Sequence, residues 1–179
     1  MGGRPKALLE FQGRTFLERV LTAISDAGIS TTAVVVGRHR DEIAAAYSQR
    51  SLVVFNPDYE KGMSTSVQAG IRALPPGVSG AGIFLVDQPL IDAATVRMLA
   101  AELRPLSIVL PVHAGRRGHP VFFAADLFGE ILALGPDQGL NAVVRRSPGR
   151  IMEVEVVNKS VLEDIDTPEQ FENLLRQGE

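Results

Sequence analysis

Asp87 follows the run Ile83-Phe84-Leu85-Val86 directly and precedes Gln88 and Pro89. The run reads as a short buried strand, so the carboxylate would sit at the end of a strand with Pro89 turning the chain away. A carboxylate so placed can hold Mg²⁺, which bridges phosphate oxygens and offsets charge in phosphoryl transfer. The alternative is a turn residue bonded to its own backbone. At the N-terminus, Gly2-Gly3-Arg4-Pro5-Lys6 combines glycines that let backbone N–H groups approach phosphate with two cations. A lysine there could stabilise a leaving pyrophosphate; the alternative is a flexible basic terminus. Gly62, Ser64, Thr65 and Ser66 open a helix-like stretch, where hydroxyls can bond a nucleotide or simply cap the helix. Arg116 and Arg117 precede Gly118-His119-Pro120 in a loop that could take an anionic substrate or be a solvated hairpin. Asp166 stands just before a helix start, as a second metal ligand or as a carboxylate favoured by the helix dipole. His39 and His113 have no evident partner and read as surface residues.

These residues need elements to position them. The sequence has 179 residues, enough for one domain (1–179) with a real core. Net charge is −3, so no broad basic surface advertises nucleic acid, and Cys is absent, which excludes disulfides and thiolate-bound metal. No apolar run reaches membrane-spanning length, and a cytoplasmic setting is expected. Thr15-Phe16-Leu17-Glu18 has the pattern of a capping box, followed by a helical stripe that Gly28 ends. Residues 31–36 read as a buried strand closed by Gly37. A helix over 41–47 and a strand over 52–55, closed by Asn56-Pro57, come next. After a loop over 58–63, a helix for which Ser64 to Ser66 offer caps carries the stripe Val67, Ile71 and Leu74 and ends at Pro75-Pro76. Asp92 caps a further helix. Strands are expected over 107–112 and 120–123, helices near 125–133 and 140–146, and a strand where Met152, Val154 and Val156 alternate with Glu153 and Glu155. Thr167-Pro168-Glu169-Gln170 opens the last helix. Alternating strands and helices imply an α/β fold with a mainly parallel sheet, whose ligands bind at the carboxyl ends of the strands.

Taken in order, the motifs at 1–6, 56–57, 62–70, 85–89, 117–120, 137–139 and 164–167 resemble the NTP-transferase family that contains molybdenum cofactor cytidylyltransferases and related guanylyltransferases. Asp-Gln-Pro, Gly-His-Pro and Asp-Ile-Asp-Thr are closer to the cytidylyltransferase branch. The resemblance implies a Rossmann-like three-layer α/β/α fold. It implies transfer of NMP, from CTP or another NTP, to a phosphorylated acceptor such as molybdopterin, with Mg²⁺ and release of pyrophosphate. It also allows a molybdoenzyme partner. Lys6 and Asp87 would be catalytic, and Asp87 with Asp166 would hold the metal. Gly3, Arg4, Lys6, Gly37, Gly62, Ser64 and Ser66 would meet the nucleotide. Gly118, His119 and Pro120 would line the acceptor side. One departure matters: the family opens with a strand and a glycine-rich phosphate loop, and this sequence starts at the Met-Gly end of that motif. A gap or an unpaired sheet edge is therefore expected. So is a longer native chain in which Met1 is internal, with weak or absent turnover by the short form. Two other readings are a nucleotide-binding module without catalysis and an oxidoreductase, the name borne by some relatives. No G-x-G-x-x-G follows a strand, so a dinucleotide fingerprint is lacking.

Overall fold

The structure, a computed structural model, describes residues 4–47, 52–135, 137–146 and 148–177. After a 3₁₀ turn at Lys6–Leu8, two short antiparallel strands, β1 (Glu10–Phe11) and β2 (Arg14–Thr15), lead into α1 (Phe16–Asp26). The expected capping box is present: Thr15 Oγ1 accepts from the Glu18 N–H and Glu18 reaches back to the Thr15 N–H. The next elements are β3 (Ala33–Val36), α2 (Arg40–Tyr47), β4 (Leu52–Phe55), α3 (Met63–Ala73), β5 (Gly80–Ile83) and α4 (Ala93–Ala101), the last capped by Asp92. Then come β6 (Ile108–His113), β7 (Arg116–Arg117), β8 (Val121–Ala124), α5 (Phe128–Leu132), α6 (Asn141–Arg146), β9 (Ile151–Glu155) and α7 (Pro168–Gln177). Helix α7 opens with the expected reciprocal bonds between Thr167 and Gln170.

The fold is α/β with a mainly parallel sheet. β3 and β4 pair in parallel, as do β6 and β9. β5 and β6 share a direction because both are antiparallel to β8, which lies between them. On one side of the larger sheet, α1 and α4 pack through Val20, Ile24, Val96 and Leu99 against Val109 and Phe122. Another cluster joins Val67 and Ile71 of α3 to Ile108, Phe123, Leu127, Ile131 and Val143. No helix among the described residues is long and apolar enough to cross a membrane.

The expected gap is present. Among the described residues β3 pairs only with β4 and β5 only with β8, so each keeps one unpaired edge. Both edges line a single, largely apolar slot of about 620 Å³, walled by α1 and α3.

The slot explains one difference from the sequence reading. The strand expected over 83–86 is displaced to Gly80–Ile83, and 84–86 lie outside any ladder. β8 covers β5 only as far as Ile83, opposite Val121, and beyond that point the other side of the chain faces the slot. Phe84, Leu85 and Val86 are accordingly half-buried rather than enclosed. A packing test follows. Leu99 is fully enclosed, so Leu99→Ala should cost about 2–5 kcal/mol in denaturant unfolding. Leu85, which already borders empty space, should cost less than about 1.5 kcal/mol when replaced by Ala. Equal losses at the two positions would mean the slot is filled in solution.

Candidate active site

Buried Pro5 fixes the entry to the 3₁₀ turn, and that turn aims Lys6 at the segment after β5 and the loop before α7. Lys6 Nζ donates to Asp87 Oδ2 at 3.3 Å and to Asp166 Oδ1 at 2.5 Å. Partial burial works to lower the lysine pKa. The hydrogen bond to Asp166 and the charge of Asp87 outweigh it, so the amine is held above its ordinary value and stays protonated at neutral pH. Three residues far apart in sequence therefore converge: the turn after Pro5, the segment after β5, and the loop before α7.

Asp87 is clamped by neighbours on both sides. The Ile165 N–H donates to the Asp87 carbonyl at 2.8 Å, joining the two acidic segments through backbone. Buried Gln88 donates its amide to Asp164 Oδ1 at 2.8 Å. Arg19 of α1 donates to the Pro89 carbonyl at 3.2 Å. Below these bonds, Leu9, Phe11, Phe16, Ile165 and Leu174 form an apolar cluster that Val86, Leu90 and Phe171 complete.

His119 stands nearby. Its N–H donates to the Val161 carbonyl at 2.9 Å, and the His119–Pro120 bond is cis. Gly118 passes so close to the same strand of chain that a Cβ there would lie 2.2 Å from the Val161 carbonyl oxygen. Burial pushes the His119 pKa down from 6.5, opposed by the Asp164 and Asp87 charges, and the net direction is down. The imidazole is therefore neutral at pH 7.

Helix α3 begins at Gly62, whose φ of 118° an L side chain would resist. No side chain caps the helix. The capping role considered for Ser64 is not used: Ser64 lies inside the first turn and is buried. Thr65 and Ser66 instead accept from the buried amide of Asn56, each at 2.9 Å. Ser66 borders the slot together with Val36, Val86 and Ala7, so the residues adjoining Gly37, Asp87 and Lys6 share one end of it.

The remaining candidates are more dispersed. Arg4 is exposed and pairs with Glu10 at 3.2 Å. Gly3 lies outside the described residues. Gly37 packs under Tyr59, whose ring a Cβ would meet at 2.5 Å. His39 and His113, read as lacking partners, have them: His39 bonds Glu42 at 2.9 Å, and His113 Nδ1 lies 3.0 Å from the Val156 carbonyl. The Glu42 partner was readable as an i,i+3 pair at the start of α2, whereas Val156 is 43 positions away from His113 and no spacing reveals it.

With this geometry in place, comparison with known proteins is decisive. The family described as the MobA-like NTP transferase domain matches residues 1–151. The chain belongs to that family. Nicotine blue oxidoreductase of Paenarthrobacter nicotinovorans is 30% identical over 184 residues, covering 98% of this chain and 90% of that protein. Molybdenum cofactor cytidylyltransferase of Escherichia coli K12 is 29% identical, covering 94% and 86%. The crystal structure of Rv0371c from Mycobacterium tuberculosis H37Rv in complex with manganese has a TM-score of 0.84 at 28% identity, covering 97% of this chain and 93% of that one. The protein is thus a nucleotidyltransferase of the MobA-like family.

Within this family member, Lys6, Asp87 and Asp166 come together as the motifs implied. Asn56, Gln88 and Asp164 support the site and were not singled out for roles. For Asn56 and Gln88 the available signal was a polar residue just beyond an apolar run. Asp164 was legible only as part of its motif.

The neutral state of His119 is testable by following its ring-proton resonances against pH. Its midpoint should lie below 6.5. Asp164→Asn, which keeps an acceptor for Gln88 but removes the opposing charge, should lower it further. Because the native state binds this proton less readily than the unfolded chain does, stability should fall as pH drops from 6.5 toward the lower native value. A midpoint at or above the unfolded one would contradict the burial described.

Proposed function

We propose that the protein transfers a nucleoside monophosphate, CMP from CTP by preference, to a phosphorylated acceptor such as molybdopterin, requiring Mg²⁺ and releasing pyrophosphate in the cytoplasm. The observation behind this reading is the Lys6 ammonium held between Asp87, in the segment after β5, and Asp166, in the loop before α7. The name of the E. coli relative supports CTP and the molybdenum cofactor. The manganese complex of the mycobacterial relative supports a divalent cation.

The residues present fit such a cation. Asp87 and Asp166 offer hard oxygen ligands on one amine, and no group of three or more His, Cys, Asp or Glu among the described residues forms a closed cage. That donor set suits Mg²⁺, which is commonly held by one or two carboxylates while water and phosphate oxygens complete its shell. Bound there, the ion would draw charge from the phosphates. Lys6 would stabilise the negative charge that collects on pyrophosphate as it leaves. Ser66 and Gly62 would orient the nucleotide, and Gly118, His119 and Pro120 would border the acceptor. The acceptor carries its own phosphate nucleophile, so alignment replaces a strong general base. A neutral His119 can bond that phosphate without adding charge.

Nucleotide binding without transfer is a second reading, favoured by the open slot beside Ser66 and Val86. A panel of NTPs, with Mg²⁺ and molybdopterin, separates the two by calorimetry and pyrophosphate release. Transfer predicts release that is highest with CTP and falls on the order of 100-fold in Asp87→Ala. Binding with no release supports the second reading, and release untouched by Asp87→Ala removes Asp87 as metal ligand.

Lys6 occupies the place between the carboxylates that a cation would take. Lys6→Ala should therefore bind Mn²⁺ more tightly than wild type without nucleotide, by about tenfold if one surface-attenuated charge is relieved, while losing turnover. Free Mn²⁺ is read by electron paramagnetic resonance. Weaker Mn²⁺ binding in the variant would show that amine and cation do not compete.

A further inference from the structure

Asn56 is a polar residue only 3% exposed, and the side-chain bonds it makes are directed at the first turn of α3 and its approach. It closes β4, where its N–H donates to the Val36 carbonyl at 2.9 Å, so its backbone is fixed to the end of β3. Its side-chain oxygen accepts from the Asp58 N–H at 3.0 Å. That bond decides the orientation of the amide, because a flipped amide would set two donors against each other at Asp58. The Nδ2 group then uses one hydrogen on Thr65 Oγ1 and the other on Ser66 Oγ, both at 2.9 Å.

The two hydroxyls differ in what remains to them. Thr65 directs its own hydrogen back to the approach loop, with the Gly62 carbonyl at 2.8 Å and the Asp58 carbonyl at 3.0 Å as acceptors. Ser66 accepts from Asn56 and finds no acceptor for its hydrogen among the described residues. It is half-buried at the end of the slot shared with Val36 and Val86. A serine inside a helix can return that hydrogen to the preceding turn, and Ser66 makes no such bond among the described residues.

We propose that Asn56 is a positioning residue that sets Ser66 as a hydrogen-bond donor, so that the nucleotide atom facing Ser66 is an acceptor, a carbonyl oxygen, ring nitrogen or phosphate oxygen. This rests on the nucleotide reading of residues 62–66. Asn56→Asp tests it with almost no change of shape. The carboxylate cannot donate, so Ser66 must turn its hydrogen inward to it and present a lone pair to the ligand.

CTP and GTP, each with Mg²⁺, are the probes, with affinity by calorimetry and kcat at saturating nucleotide. Asn56→Asp and Ser66→Ala should each weaken binding of the preferred nucleotide about tenfold, the worth of one neutral hydrogen bond. The larger part of each loss should appear in affinity and the smaller part in kcat, because the bond is already made in the bound ground state, and kcat should fall by the same factor in both variants. The double variant should be no weaker than either single one, since both remove the same donor. Ser66→Thr, which keeps the hydroxyl, should retain affinity. Circular dichroism melts establish that each variant is folded. If Asn56→Asp does not fold, Ser66→Ala against Ser66→Thr decides whether the donor matters, and additive losses in an Asn56→Ser background would refute the coupling. Wild-type binding with an unaffected Ser66→Ala refutes this inference alone. Absence of nucleotide binding by the wild type removes the nucleotide reading and this inference together.

Discussion

Everything at the site depends on three segments meeting at Lys6, yet the ion pairs there cannot be what brings them together. Asp87 and Lys6 side chains keep about a quarter and a third of their exposure, and pairs screened to that degree contribute only about 0–1 kcal/mol. The apolar cluster beneath them is the stronger constraint. Leu9 and Phe11 follow the Lys6 turn, Val86 and Leu90 flank Asp87, and Ile165 precedes Asp166. Phe16 and Phe171 meet edge to face at 5.7 Å and close this cluster. Each apolar residue sits within a few positions of a charged one, so burying the first set delivers the second. The backbone bond from Ile165 to Asp87 then fixes the register of the two acidic segments.

The slot is the counterpart of that order. Its two edges belong to β3 and β5, and the chain that continues beyond β5 carries Asp87. The segment 84–86 has no ladder of its own, so Asp87 is held from the far side, by Ile165, Gln88 and Arg19, rather than by a neighbouring strand. This arrangement makes the acidic face firm and the slot face open. It is also why an apolar run that should be enclosed is only half-buried.

Much of this was legible in the sequence because it is local chemistry. Both capping boxes, at Thr15 and Thr167, and the Asp92 cap were read from spacing, and each forms as read. The order of the motifs singled out Asp87 and Asp166, which the fold brings to one amine, although Asp87 lies four residues beyond β5 rather than directly after it. The illegible parts are long-range. The end of β5 is set by where β8 stops, and no pattern within 80–86 records that. The choice of Gln88 for Asp164, 76 positions away, is likewise a product of the fold. So is the use of Asn56 on hydroxyls that local rules assign to capping. Local rules offered the hydroxyls as caps, whereas Gly62 takes the N-cap position with no side-chain cap and the Asn56 amide donates to the Thr65 and Ser66 hydroxyls.

The distribution of charge bears on what the site can accept. Lys6 is already matched against two carboxylates, which leaves that cluster net negative. Arg4 is tied to Glu10 in an exposed pair, and His119 is held neutral by burial. A triphosphate approaching this arrangement would meet repulsion from Asp87 and Asp166 unless positive charge came with it. In the proposed reaction a divalent ion accompanying the nucleotide would supply that charge, Asp87 and Asp166 would hold it, and the Lys6 amine they now bind would be left to the phosphates. The same two acids that repel bare nucleotide would thus select the metal-bound form, and the lysine would be released to the phosphates only when that form is present.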